Sequence, residues 1–386
     1  MKKLIIVCVV VAMIMGTFTI IERAGLASKK LSFGSNLYDE TQTSLNQSEY
    51  VVLSNDNILE VEKESVTCFT ISSSYTKKVL WQETSYIKYP IIAKSGNLVC
   101  VFDKQGYSGI VYDNSGRKYE IKVNLPILEV SINKEGYTAV LQKSDKSSDS
   151  KSVITIFDNE GNKLIDRISY EENGGVPITV AMSDNNETFA ASYLDVSNNN
   201  ILSKIIFFKI DGKELKDNLF SSFEYPNTIV TNLKYVDDEN VIAVGDNKLI
   251  KINLFSEKSN EVEIEDRISE VILDFKDGIV LMCTKNVNQL SSDMTYTAFY
   301  NNNLKKKKEQ IVYFDANLVS TSKNTLTIGN GSDFHIYSNK GISKCKQSFN
   351  LDVKQLLPMN KTNMMLVSTN LGLKVYRLQS ATLMSK

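Results

Sequence analysis

The sequence predicts an all-β domain, a β-propeller of about eight, alternatively seven, four-stranded blades preceded by one N-terminal transmembrane helix. Three observations predict it: an apolar anchor followed by a polar turn recurs at a near-constant period, a second signature recurs in phase with the first, and one N-terminal run is long and apolar enough to cross a bilayer.

The first signature reads Tyr112-Asp113-Asn114-Ser115-Gly116, Phe157-Asp158-Asn159-Glu160-Gly161, Ile210-Asp211-Gly212 and Tyr337-Ser338-Asn339-Lys340-Gly341. With weaker copies the anchors are Phe69, Tyr112, Phe157, Phe208, Ile252, Phe299, Tyr337 and Tyr376, spaced 38 to 51 residues apart. That is the length of one four-stranded propeller blade. The second signature is a hydrophobic run, a small polar turn and another hydrophobic run, as in Ile91 to Val101 around Ser95-Gly96-Asn97 and Val130 to Leu141 around Asn133 to Gly136. It precedes most anchors by a similar interval. Turns rich in Gly, Asn and Asp between apolar runs mark antiparallel hairpins, because these residues accept positive φ or bond their own backbone. A β-sandwich also has many short strands, but nothing in it demands two signatures in phase over so long a chain.

The last unit, Leu356 to Leu378, shows three strands. An unpaired edge there would invite aggregation, so a strand from elsewhere should complete it. Lys29 to Phe33 and Asn36 to Tyr38 are the segments with strand-like alternation upstream of the first unit, and one of them should pair near Leu371 to Leu378.

Lys2 and Lys3 precede an uncharged run from Leu4 to Ile21, closed by Glu22 and Arg23. Those 18 residues reach the length needed to span a bilayer as a helix. The lysines place the N-terminus in the cytoplasm and the rest of the chain outside it. A cleaved signal peptide competes, since Gly25 and Ala27 resemble a cleavage site, but the run is longer than an ordinary signal core and favours an anchor. The expected organisation is a cytoplasmic N-terminus (1–3), an anchor (4–21), a tether with a ring-closing strand (22–48), the propeller (49–380) and a tail (381–386).

Composition narrows the chemistry. Forty-four Lys and Arg balance 45 Asp and Glu, so no basic field suits nucleic acid as a partner. His335, the one histidine, lies in an alternating Asp333-Phe334-His335-Ile336-Tyr337 run and reads as structural, which sets aside most histidine-dependent catalysis. Cys68, Cys100, Cys283 and Cys345 lack metal-ligand spacing; each pair could bridge neighbouring repeats, and each residue equally suits a buried free thiol. Phosphate-cradling, nucleophile-elbow, zincin and complete EF-hand motifs are absent from the sequence, so no cofactor, metal or catalytic site is predicted. Asp158 to Gly161 reads as a turn, Glu261 to Asp266 as a solvated outer strand, and Lys305 to Lys308 as protection of an outer edge.

One copy, Lys78-Val79-Leu80-Trp81, resembles the ending of quinoprotein-like repeats, with Lys77 where that pattern has glycine; the repeats are also similar to WD-like ones, without their GH and WD dipeptides. From the Lys-Lys-led anchor through the Asn- and Lys-rich meander, the chain resembles a family of uncharacterised single-pass proteins of Gram-positive anaerobes. The resemblance implies topology and carries no catalytic motif.

A working face is predicted from insertions. The longest loops, Lys143 to Lys151, Asp195 to Ser203 and Lys285 to Asp293, all join second to third strands and emerge on the same face as the blade-to-blade connections. Tyr170, Asp195, Phe223 and Tyr225 are the candidate interaction residues there. The expected role is a membrane-tethered module that binds protein or an envelope polymer outside the cytoplasm, or senses a ligand there. The alternative is an extracytoplasmic enzyme of lactonase, glycosidase or quinoprotein type with carboxylates at the channel mouth.

Overall fold

The computed structural model describes residues 31–41, 48–72, 74–144, 151–197, 200–210, 219–275, 278–285, 294–314, 316–322, 325–359 and 364–380. Its 32 strands form eight four-stranded antiparallel sheets. Strand β1 (Leu31–Thr41) stands apart in sequence from the sheet it joins. Blade 1 holds β2 (Glu49–Val52), β3 (Ile58–Val61), β4 (Ser65–Ile71) and β5 (Lys77–Thr84), and blade 2 holds β6 (Pro90–Ser95), β7 (Leu98–Asp103), β8 (Ser108–Asp113) and β9 (Gly116–Lys122). Blade 3 is β10 (Ile127–Ile132), β11 (Thr138–Lys143), β12 (Lys151–Phe157) and β13 (Lys163–Tyr170); blade 4 is β14 (Val176–Met182), β15 (Thr188–Asp195), β16 (Leu202–Lys209) and β17 (Leu219–Pro226). Blade 5 comprises β18 (Val230–Tyr235), β19 (Asn240–Gly245), β20 (Lys248–Asn253) and β21 (Lys258–Glu263), and blade 6 β22 (Arg267–Phe275), β23 (Gly278–Lys285), β24 (Met294–Asn301) and β25 (Lys306–Val312). Blade 7 follows with β26 (Leu318–Ser322), β27 (Thr325–Gly329), β28 (Asp333–Ser338) and β29 (Ser343–Ser348). Blade 8 takes β30 (Val353–Pro358), β31 (Met364–Thr369) and β32 (Gly372–Ser380) from the C-terminal end, and β1 from the N-terminal end as its fourth strand.

All eight sequence anchors fall on the third strand of their blade. In seven blades the ladder between third and fourth strands shifts register at or beside the anchor, for example between Ile156 and Phe157 and between Phe207 and Phe208. The polar turns are built by one recurring device, a side-chain oxygen that accepts the backbone N–H two residues on. Asp113 accepts from Ser115, Asn133 from Glu135, Asp158 from Glu160, Asp237 from Glu239, and Asn330 from Ser332. In several turns glycine supplies the left-handed backbone, as at Gly96, Gly136, Gly161 and Gly341, and in others Asn186 and Leu304 adopt it.

The core is divided among eight seams between neighbouring blades. In β19, Val241 and Ala243 pack toward blade 4 while Ile242 and Val244 pack toward blade 6. Successive side chains of a strand point to opposite faces, so a middle strand buried on both must be apolar throughout. The blade 1 to blade 8 seam joins Tyr50, Ile58 and Phe69 to Leu366, Leu373 and Val375, and so closes the circle. Cys68, Cys100, Cys283 and Cys345 are buried free thiols in these seams, where burial raises their pKa to about 11 or 12.

Of the two segments proposed from the sequence for ring closure, Leu31 to Phe33 of the first and all of Asn36 to Tyr38 lie in the single strand β1, Lys29 and Lys30 falling outside the described residues; β1 pairs antiparallel with β32 from Leu31 opposite Ser380 to Thr41 opposite Gly372. Among the described residues the ring-closing strand is thus Leu31–Thr41, within the 22–48 stretch expected to hold it. Phe33 packs edge-on against Phe349 of blade 7 at 5.2 Å and Tyr376 of blade 8 at 5.7 Å. At the other end of β1, Glu40 accepts hydrogen bonds from Tyr38 and from Lys77 of blade 1. Lys77 also reaches Glu60 at 3.1 Å and lies 4.6 Å above the Phe69 ring. Burial works against the Lys77 charge, but Glu60 and Glu40 outweigh it and hold its pKa above the ordinary lysine value. The stretch 1–30, with the anchor and cleavage-site readings, lies outside the described residues, and no described helix is long and apolar enough to cross a membrane.

Removing Lys77 would leave Glu60, whose side chain is 5 % exposed, as an uncompensated buried charge. Lys77→Met should cost about 2–4 kcal/mol in chemical denaturation. Arg117→Met, which breaks the exposed pairs to Glu83 and Glu120, should cost under about 1 kcal/mol. Equal small losses for the two variants would show that Lys77 does not clamp the ring.

Candidate functional site

A four-stranded meander puts its first-to-second and third-to-fourth turns on one face, here the turn face. Its second-to-third loops and blade-to-blade connections emerge on the other, the connection face. The first strands are innermost, and residues from those of blades 2 to 7 line a central channel of about 660 Å³ near the turn face.

Several polar side chains of the innermost strands are spent on neighbouring backbone. An innermost strand has a free edge, whose N–H and C=O groups need partners. Gln355 of β30 accepts from the N–H of Tyr50 on β2 at 2.8 Å. Ser131 of β10 accepts from the N–H of Met182 on β14 at 3.2 Å. Lys94 donates to the Val52 carbonyl, Lys234 to the Leu273 carbonyl and Ser320 to the Leu356 carbonyl, each across a blade boundary. Glu129 accepts the Thr179 hydroxyl at 2.7 Å, and burial pushes its carboxyl up to about 7 against that bond and the one from the Val180 N–H. The innermost-strand glutamates Glu49, Glu129 and Glu270 come from blades 1, 3 and 6. Among the described residues no three His, Cys, Asp or Glu side chains form a group able to hold a metal ion.

The connection face is different in kind. Of 16 exposed large hydrophobic side chains among the described residues, eight lie there: Tyr86, Tyr89, Tyr107, Tyr170, Val196, Ile201, Tyr313 and Leu371. Phe255 is the one on the turn face, and the other seven are on outermost strands, so exposed apolar surface concentrates on the connection face. Tyr86 and Tyr89 belong to the connection from blade 1 to blade 2, and Tyr107 to the second-to-third loop of blade 2. Their backbone is pinned. Asp103 accepts the N–H groups of Lys88 and Tyr89, the Tyr89 carbonyl accepts from Lys104, and the Tyr107 carbonyl accepts from Val123. Buried Ile87 anchors the connection from below, leaving Tyr86 80 % exposed.

The four candidate residues from the sequence separate on this geometry. Tyr170 ends β13 on the connection face, half-exposed. Asp195 ends β15 on the same face, but its carboxylate is engaged by the hydroxyl and N–H of Ser197 and by Lys204 at 3.0 Å, which hold its pKa well below the usual range. Phe223 and Tyr225 must be corrected: they lie within β17, where Phe223 packs edge-on against Phe207 at 6.0 Å and Tyr225, 3 % exposed, belongs to the blade 4 to blade 5 seam. A strand alternates its faces, and these two positions point inward. Most of loops 143–151 and 285–293 and the middle of 195–203 lie outside the described residues. Tyr86, Tyr89 and Tyr107 were missed because their loops are short. The signal was there, since an exposed Tyr-x-x-Tyr connection brackets a single buried Ile.

His335 is buried, with Nδ1 2.9 Å from the Tyr337 hydroxyl and the Phe314 ring edge-on at 5.0 Å. Burial, with Lys346 adding and Asp333 opposing, pushes its pKa down to about 4.

The chain is an eight-bladed β-propeller with a backbone-stitched channel and a tyrosine-bearing connection face. Residues 35–378 match the family described as "Family of unknown function (DUF5711)", and the chain belongs to that family. The crystal structure of Citrobacter koseri AztD is similar to this chain at a TM-score of 0.53 and 9 % identity, covering 80 % of this chain and 88 % of that one. Apo AztD from the same organism gives 0.52 and 10 % over the same shares. These likenesses show the fold. The sequence matches none of the curated proteins.

His335 and Glu129 make opposite pH predictions. The folded state disfavours His335 protonation, so its contribution is complete above pH 6.5 and is lost as pH falls toward 4. The folded state disfavours Glu129 ionisation, so its contribution is complete below pH 4.5 and is lost as pH rises through 7. Relative to His335→Gln, the native chain should lose about 3 kcal/mol between pH 6.5 and 4. Relative to Glu129→Gln, it should lose about 3 kcal/mol between pH 4.5 and 8. Parallel stability profiles for variant and native chain would refute either assignment.

Proposed function

We propose that the protein is a non-catalytic, protein-binding propeller tethered at the outer surface of the cytoplasmic membrane, and that it engages its partner through the connection face of blades 1 to 4. The observation that carries this reading is the concentration of exposed, backbone-pinned tyrosines at positions 86, 89 and 107 on that face, continued by Tyr170. Tyrosine offers large contact area with little conformational entropy to lose, and it is enriched at the energetic centres of interfaces. Pinned loops reduce the ordering cost of association further. The apolar run from Leu4 to Ile21 supports the tether, and the two preceding lysines support an outward-facing domain.

Photo-crosslinking in intact cells tests it. A reactive residue at Tyr86 or Tyr107 should yield a defined protein adduct, whereas one at Phe255, 86 % exposed on the opposite face, should not. Tyr86→Ala combined with Tyr107→Ala should then weaken capture by about tenfold or more. Adducts from position 255 alone would overturn the assignment of the face.

A further inference from the structure

The register of β1 fixes the face at which the chain joins the ring. Leu31 lies opposite Ser380, at the end of β32, and Thr41 lies opposite Gly372, at its start. β1 therefore begins at the turn face and ends at the connection face. Residues 22–30 link the apolar run to Leu31, and nine residues span at most about 30 Å. With the anchor proposed above, the turn face lies within that reach of the bilayer, and the tyrosine-bearing face looks away from it.

Charge is unevenly spread over the turn face. In blades 3 to 5 its turns carry Asp158, Glu160, Asp184, Asp237, Asp238 and Glu239. On one side of the blade that receives β1, the third-to-fourth turns of blades 6 and 7 carry Lys305 and Lys340, and Lys307 and Lys308 follow in the first residues of β25. All four are exposed, and among the described residues none has a carboxylate partner, whereas Lys306 between them pairs with Glu309. Protection of an outer edge accounts for lysines along β25. It does not account for Lys340, which stands in a turn with no strand edge to shield.

We propose that this basic sector of the turn face rests on anionic phospholipid headgroups, tilting the propeller onto blades 6 and 7 and lifting the acidic blades 3 to 5 away. Electrostatic attraction to a lipid surface fades over roughly 8 Å at physiological salt, so it needs the sector held close, which the short tether does. The proposal rests on the membrane reading for that proximity.

The test uses the full chain reconstituted into vesicles of phosphatidylcholine alone, or of phosphatidylcholine and phosphatidylglycerol in equal parts, with acylation of each lysine followed by mass spectrometry. In anionic vesicles Lys305, Lys307, Lys308 and Lys340 should label about fivefold more slowly than in neutral ones, the factor equivalent to about 1 kcal/mol per basic residue at an anionic surface. Lys104 on the connection face should be unchanged, and high salt should abolish the difference. Equal labelling in both vesicle types overturns the proposal. Carbonate extraction is read separately. A chain stripped from both vesicle types refutes the anchor, and slower labelling in anionic vesicles before extraction would still support the lipid-facing sector on its own.

Discussion

The structure depends on one backbone pairing, that of β1 with β32. Every blade is apolar on both faces, as the split of Val241 and Ala243 from Ile242 and Val244 illustrates, so a blade is satisfied only with a neighbour on each side. A closed ring alone gives every blade two neighbours. The last blade has only three strands of its own, and the residues that finish it come from the opposite end of the sequence. β1 supplies the missing ladder, fills the seam with blade 7 through Leu31 and Phe33, and meets blade 1 through Glu40 and Lys77. Lys77, which departs from the quinoprotein-like pattern, is thus the residue that ties the clasp to the first blade.

Closure leaves eight innermost edges facing the channel, and this shapes where function can reside. Edges are protected here by side chains that cross to the next blade's backbone, from Gln355 at the blade 8 to blade 1 boundary to Ser320 at blade 7 to blade 8. Channel residues that read as reactive in isolation, such as Lys94, Lys234 and Glu129, are already committed to this stitching. The connection face carries no such obligation. Its loops are fixed by their own backbone bonds, which frees the tyrosine rings to project.

Much of the fold was legible because it repeats. A third strand that runs on into a fourth ends at or near a bulky buried residue and then turns, and the same physical demand seven times over writes a period that composition cannot hide. Ring closure was legible from a deficit, three strands where four are needed. The face was legible only in outline. Loop connectivity places Tyr170 and Asp195 on one side, but whether a residue near a strand end points outward or into a seam depends on register. A register shift between Phe207 and Phe208 lies within the same strand pair as Phe223 and Tyr225. Such shifts leave little trace in sequence. Short connections were harder still, because Tyr86, Tyr89 and Tyr107 stand out only once Ile87 is known to be buried beneath them.

Hydrogen exchange on the full chain tests ring closure most directly, because it reads backbone pairing without altering the protein. If β1 completes the last blade, the ladder-bonded amides of residues 31–41 exchange as slowly as those of β32 and are released with it in one cooperative step under mild denaturant. Exchange of residues 31–41 at the rate of an unstructured segment, while β30 to β32 stay protected, would contradict the account.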